Sequence, residues 1–147
     1  MSSPLHIALI EPEIPPNTGN VARLCAATGC RLHLVEPLGF SIDDKSLKRA
    51  GLDYWHLVDL EVHPSLDAFL EATASQRRWL FSTRAERTYA EAPFANDDVL
   101  VFGKETKGLP QALLDAHPEM TLRVPMRPQS VRSINLSTTV GIVTYAA

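Results

Sequence analysis

Three stretches of this 147-residue chain carry residue types at spacings that could do chemistry. Pro16-Asn-Thr-Gly-Asn-Val-Ala-Arg23 offers two amide side chains and a guanidinium. Phe102-Gly-Lys-Glu-Thr-Lys-Gly-Leu-Pro110 places an acid between two lysines, inside a pair of glycines that let backbone approach a ligand closely. Val124-Pro-Met126 closes an apolar run. A polar loop with Arg127 and Arg132 follows it, and then Ser133-Ile-Asn-Leu-Ser137 opens a helical pattern. A loop that leaves a buried strand and feeds a helix start presents backbone N–H groups and the positive end of the helix dipole to a ligand. Taken alone, each stretch also has a plain reading. Gly103 and Gly108 then serve a tight turn, Glu105 is a helix-entry acid, and Arg23 is a solvated surface charge.

Other chemistries lack their residues. Neither GxxxxGK[ST] nor a GxGxxG after the first strand occurs, which disfavours triphosphate and standard dinucleotide binding. Ser133 and Ser137 lack the GxSxG elbow of a hydrolase. The five histidines, His6, His33, His56, His63 and His117, show no HxH or HxxxH spacing, so the sequence predicts no metal site. Cys25 and Cys30 fit neither a CxxC pair nor a zinc half-site and read as reduced packing residues.

The elements that must position these stretches follow from periodicity. Leu5–Ile10 is a short apolar run of strand length. Three prolines, at 12, 15 and 16, forbid regular structure after it, and Asn17 then caps a helix whose inner face is Val21, Leu24, Cys25 and Thr28. Arg23 lies off that stripe, on the edge with Asn20 and Ala27, able to face a site. Gly29 ends the helix. Leu32–Val35 is the next strand, Ser41–Ala50 a polar helix, and His56–His63 a third strand. Ser65 caps a helix reaching about Ala74, and Trp79–Phe81 is a fourth strand. Asp98–Phe102 is a buried strand, Pro110 opens a helix, and Met120–Val124 is a last strand. Strands alternating with helices predict an α/β fold, a mainly parallel sheet with helices on both faces, in a single domain over residues 1–147. In such sheets ligands bind beyond the carboxyl ends of the strands, which selects the loops after Ile10, Phe81, Phe102 and Val124.

Composition limits the class. The chain is 45% hydrophobic and carries a net charge of −3, which suits a globular core and argues against a strongly basic nucleic-acid coat. Basic residues cluster locally at Lys45, Lys48 and Arg49, at Arg77, Arg78, Arg84 and Arg87, and at Lys104, Lys107, Arg123, Arg127 and Arg132. Loops meeting on one sheet edge would gather some of them into a positive rim. No run is long enough for a membrane span, and Met-Ser-Ser-Pro has no signal-peptide pattern, so the expected location is cytoplasmic.

Read together, the three stretches resemble the motifs of the SpoU–TrmD (SPOUT) superfamily of S-adenosylmethionine-dependent RNA methyltransferases. Glu11-Pro-Glu-Ile-Pro-Pro-Asn-Thr-Gly-Asn20 and Asp43-Asp-Lys-Ser-Leu-Lys-Arg-Ala-Gly-Leu-Asp-Tyr54 are similar to the branch that 2'-O-methylates the wobble cytidine or uridine of tRNA. The resemblance implies a C-terminal trefoil knot, which chain-topology rules would never propose, with S-adenosyl-L-methionine bent inside it. Carried onto this chain, cofactor contacts fall at Phe81, Ser82, Gly103, Glu105, Gly108, Val124, Met126, Ser133, Asn135 and Leu136. Arg23 and Asn17 fall on the substrate side, Arg23 with the catalytic role and Asn17 positioning. Also implied are the anticodon stem-loop of tRNA as substrate and a homodimer whose partner completes each site. The last helix suits that, with Leu136, Val140 and Val143 on an apolar face and Ser137, Gly141 and Thr144 on a small-residue face; burial within one subunit is the plainer reading of the same pattern. Family members usually continue this helix beyond Tyr145-Ala-Ala147, a departure from the pattern that leaves open whether the chain is truncated. A ribose methyltransferase for another tRNA or rRNA position, and a non-catalytic RNA-binding relative, are the rival readings.

Overall fold

The computed structural model describes residues 4–40, 57–126 and 134–147. Strand β1 (His6–Ile10) is buried along its whole length and leads into helix α1 (Pro15–Thr28). Then come β2 (Arg31–Val35), β3 (Leu60–His63), α2 (Leu66–Ala72), β4 (Arg78–Phe81), the two-residue β5 (Arg87–Thr88) and β6 (Val99–Phe102). Helix α3 (Gln111–Ala116), β7 (Thr121–Arg123) and α4 (Leu136–Ala146) complete the described chain. The seven strands form one sheet in the order β3-β2-β1-β6-β4-β7-β5, and every pairing in it is parallel.

Side-chain alternation along the strands divides the core in two. Ile7 and Leu9 of β1 point to a face closed by Val21, Ala22 and Cys25 of α1 and by Val140 and Val143 of α4. Ala8 and Ile10 point the other way, against Phe69 of α2 and Leu113 and Leu114 of α3. A parallel sheet covered on both faces needs apolar residues at consecutive positions, which is why β1 and β6 read as unbroken apolar runs. The expected α/β architecture is therefore observed. The threading of the C-terminal region depends on residues 127–133, and the polar helix expected at 41–50 falls within 41–56; both lie outside the described residues.

Three element boundaries differ from the sequence reading. Helix α1 begins at Pro15, with Ile14 as its N-cap, so Asn17 is inside the first turn. Proline is compatible with that turn because its missing N–H is one that no helical carbonyl would have bonded. The third strand is only Leu60–His63, and the segment after Phe81, expected to be irregular, contributes β5 at the sheet edge. Gly29 ends α1 in a left-handed conformation (φ 79°), returning its N–H to the Cys25 carbonyl at 2.8 Å. Cys25 and Cys30 are both buried and unbonded to each other, and burial pushes both thiols up in pKa.

Two buried polar assemblies cross the sheet. At the amino ends of β4 and β6, the Asp98 carboxylate accepts from Trp79 Nε1 (2.9 Å), from the Arg77 guanidinium (2.9 Å) and from the Ala95 N–H (3.0 Å). Across β1, β2 and β3, the rings of His6, His33 and His63 stack with successive centroids 5.1 Å apart. Their nitrogens are linked at 2.8 Å (His6 Nδ1 to His33 Nε2) and 2.9 Å (His33 Nδ1 to His63 Nε2), and His6 Nε2 reaches Asp97 at 3.0 Å. Burial first, and then the neighbouring His6 and His63, push His33 down to a pKa of about 4.

Candidate functional site

The loops after β1, β4, β6 and β7 converge at the carboxyl edge of the sheet, where they line a cleft of about 1030 Å³. Its floor includes Phe81, which stacks on Phe102 at 4.7 Å. Leu109, Val124, Met126 and Leu136 add apolar wall, while Lys104, Lys107, Arg84 and Arg123 bring positive charge to the lining. Hydrophobic walls with a few placed polar groups and a volume near the upper end of the ~300–1,000 Å³ range suit a ligand larger than a simple metabolite.

The loop after β6 owes its shape to its glycines. Lys104 and Gly108 bridge in antiparallel fashion, with the Gly108 N–H donating to the Lys104 carbonyl at 2.9 Å. A Cβ on Gly103 would stand 2.1 Å from the carbonyl carbon of Gly108, so the loop closes on itself only because residue 103 has none. Gly108 takes φ 69°, a conformation side-chain-bearing residues rarely adopt.

That loop is tied to the one after β1 by two carboxylates. Glu105 accepts from the backbone N–H groups of Glu13 (2.8 Å) and Ile14 (2.7 Å) and from Asn17 Nδ2 (3.3 Å). Its charge lies at the amino end of α1, where the helix dipole favours an anion. In return, the Glu13 carboxylate accepts from Thr106 Oγ1 (2.7 Å) and the Thr106 N–H (3.0 Å). Those hydrogen bonds, the hydroxyl first, hold Glu13 below the ordinary carboxylate range. Asn17 Oδ1 accepts from Asn135 Nδ2 at 3.1 Å, and Asn135 Oδ1 caps α4 by accepting from the Thr138 N–H at 3.2 Å. A single polar network thus runs through all three stretches singled out from the sequence. Between them, Glu11 sits at φ 53°, within the cleft lining and 3.8 Å from Lys104 Nζ.

Of the residues carried over by resemblance, Phe81, Ser82, Gly103, Glu105, Gly108, Val124, Met126, Asn135 and Leu136 all line this one cleft, as does Asn17. Ser133 lies outside the described residues. Arg23 is exposed on α1 with Asn20 and Ala27, and it does not line the cleft of its own chain. The positive rim is partly formed: Arg84, Lys104, Lys107 and Arg123 reach the lining, whereas Arg77 is engaged by Asp98 at the opposite end of the strands. Arg87 donates to the Glu119 carbonyl instead. Arg123, one of the clustered basic residues, enters the lining from the end of β7. Its Nε is buried with no hydrogen-bond partner among the described residues, an unmet donor in the cleft wall.

On α4, Val140, Val143 and Thr144 are buried in the chain's own core, as the plainer reading of that helix has it. Its outward positions include Ile142 (37% exposed) and Tyr145 (72% exposed), and a Cβ on Gly141 would meet no atom within 4 Å. Among the described residues no helix is long and apolar enough to cross a membrane.

The profile of the SpoU rRNA Methylase family matches residues 4–145. The chain is similar to the tRNA (cytidine(34)-2'-O)-methyltransferase of Saccharophagus degradans, 50% identical over 143 residues that span 97% of this chain and 92% of that protein. It is also similar to the protein of the same name from Escherichia coli K12, 51% identical over 144 residues spanning 97% and 91%. A solved structure described as giving structural insights into the 2-OH methylation of C/U34 on tRNA superposes with a TM-score of 0.92 at 51% identity. It covers 97% of this chain and 93% of that one.

Proposed function

The chain belongs to the SpoU rRNA Methylase family, and on that footing we propose that it is an S-adenosylmethionine-dependent methyltransferase acting on the ribose 2'-OH of the wobble cytidine or uridine of tRNA, in the cytoplasm. About half of its residues are identical, over almost its full length, to proteins named for that reaction. The observation that carries the reading to this chain is the convergence of nine carried-over residues on one cleft.

The cleft fits the cofactor on its own terms. Phe81, Val124, Met126 and Leu136 offer an apolar seat for an adenine ring, and the side-chain-free Gly103 lets the loop after β6 fold into a backbone wall. Arg123 in the lining brings a guanidinium suited to a carboxylate or hydroxyl of the ligand. When bound, S-adenosylmethionine supplies an electrophilic methyl group on a sulfonium.

The remaining steps belong to the protein. A ribose hydroxyl is a weak nucleophile, and in-line placement together with stabilisation of the developing alkoxide lowers its barrier. Arg23 takes the catalytic role: its guanidinium orients a backbone phosphate and stabilises negative charge on the 2'-oxygen, while the hydroxyl proton leaves to solvent. Asn17 and Glu105 act as positioning residues. Their polar atoms are consumed in fixing the start of α1, the helix that carries Arg23. Because Arg23 does not line its own cleft, the reading calls for a homodimer in which the partner's α1 completes the site. The outward Ile142 and Tyr145 of α4 supply apolar contact area for that pairing. The whole chain then acts as a single methyltransferase domain with a knotted C-terminal region.

Bulk tRNA incubated with methyl-labelled cofactor, followed by nuclease mapping, tests the assignment. Label on the wobble ribose is expected. Label confined to any other ribose, or none in tRNA, overturns it.

A further inference from the structure

His33, Glu61 and His63 form a cluster that methyl transfer leaves unused, and none of the three lines the cleft. The parallel register pairs His33 with Glu61 and Val35 with His63, so the three side chains leave the same face of the sheet. β3 is the outermost strand at that edge. One donor atom from each residue lies within 4.8 Å of the others. His33 Nδ1 stands 2.9 Å from His63 Nε2 and 3.7 Å from a Glu61 carboxylate oxygen. Tetrahedral zinc, with bonds of about 2.0–2.2 Å, sets its ligand atoms roughly 3.3–3.6 Å apart. The observed separations bracket that value.

The groups behind His33 fix its tautomer. With His6 as a neutral ring, the Asp97 carboxylate accepts from its proton-bearing Nε2, and His6 meets His33 with a bare Nδ1. His33 must then donate from Nε2, which leaves its Nδ1 lone pair aimed at the Glu61 and His63 side. A ligand histidine whose second ring nitrogen donates into a carboxylate-backed chain is the supporting arrangement metal sites use to orient imidazole.

We infer that His33 Nδ1, His63 Nε2 and the Glu61 carboxylate form a binding site for one divalent cation of the zinc class at the β2–β3 edge. The cation replaces the His33–His63 hydrogen bond, and the proton on His63 Nε2 moves to Nδ1, so both imidazoles coordinate as neutral rings. Two imidazoles and a carboxylate suit Zn²⁺ or Co²⁺ and are poor company for Mg²⁺ or Ca²⁺, which want oxygen ligands throughout. Glu61, whose side chain is 49% exposed, gives the entry path. Coordination would cross-link the edge strand to its neighbour.

Untagged, chelator-treated protein titrated with Co²⁺ and with Zn²⁺ by calorimetry tests the site. One equivalent per chain is expected, with the visible absorption of a low-symmetry Co²⁺ centre that Zn²⁺ abolishes. Glu61→Gln, at a half-exposed strand position that preserves the fold, and His63→Gln should each weaken Co²⁺ binding by more than about tenfold. In the unsubstituted protein, Zn²⁺ should shift the ring resonances of His33 and His63 and leave those of His117 in place. No bound cation, undiminished binding in both variants, or ring shifts elsewhere overturns the site. Methyl transfer to tRNA is read separately, and its failure does not bear on this outcome.

Discussion

Glu105 and Asn17 are joined by a 3.3 Å hydrogen bond that spans 88 residues of sequence. The same carboxylate takes the two N–H groups ahead of α1, while Asn17 passes the connection on to Asn135. The three loops around the cleft are therefore mechanically one object. Glu105→Ala should lower unfolding free energy by about 1–2 kcal/mol, because it strips an acceptor from three donors. It should also reduce tRNA methylation. Glu105→Gln keeps one acceptor oxygen and should fall between. Thermal melts of the three proteins, alongside turnover, check the order.

Arg23→Ala should reduce kcat/KM on tRNA by about 10²–10³-fold, the usual cost of removing a group that stabilises developing negative charge. Cofactor affinity should not move, because Arg23 does not line the cleft. Near-normal turnover would remove Arg23 from the mechanism.

Gly103 and Gly108 should respond unequally to alanine. At 103 the new methyl would stand 2.1 Å from backbone carbon, so the loop must reopen, at a cost of about 3 kcal/mol or more and with loss of cofactor binding. At 108 there is room within 4 Å, and only the left-handed φ of 69° is penalised, about 1–2 kcal/mol. Denaturant melts of both variants with calorimetric cofactor titrations measure the difference; equal effects would discard the closure argument.

Thr106→Val should raise the Glu13 pKa toward its ordinary value, because the Thr106 hydroxyl is the leading cause of its depression. A depressed carboxylate contributes stability above its unfolded pKa and loses it as pH falls through the folded one. The link between the two loops should accordingly weaken on acidification in the parent protein, and at a higher pH in the variant. Carboxyl-carbon NMR titration of Glu13 reads this directly.

Sedimentation at micromolar concentration should give two chains, and Ile142→Asp with Tyr145→Asp should yield monomers that keep their fold and lose tRNA methylation. A monomeric parent would dismiss the shared site.

The sheet was legible from sequence wherever burial on both faces forces unbroken apolar runs, as in β1 and β6, and with it the four loops beyond the strand ends. Helix α1 starts earlier than its sequence suggests, because Pro15 and Pro16, breakers in a helix interior, sit in a first turn that has no hydrogen bonds for them to lose. Arg123 was legible only as one of several clustered basic residues; the strand pattern it continues does not show that its side chain enters the cleft lining. The histidine ladder was invisible for a different reason. Spacing rules find ligands that share one segment, whereas His6, His33 and His63 come from three strands whose adjacency is a property of sheet order.

Asp98 binds Trp79, Arg77 and Ala95 at the amino ends of β4 and β6, the opposite end of those strands from the cleft. The two ends of the sheet are thereby given separate duties, one holding strands in register and the other presenting loops. Loops at the carboxyl end can therefore be reshaped around a ligand without disturbing the fastening at the amino end.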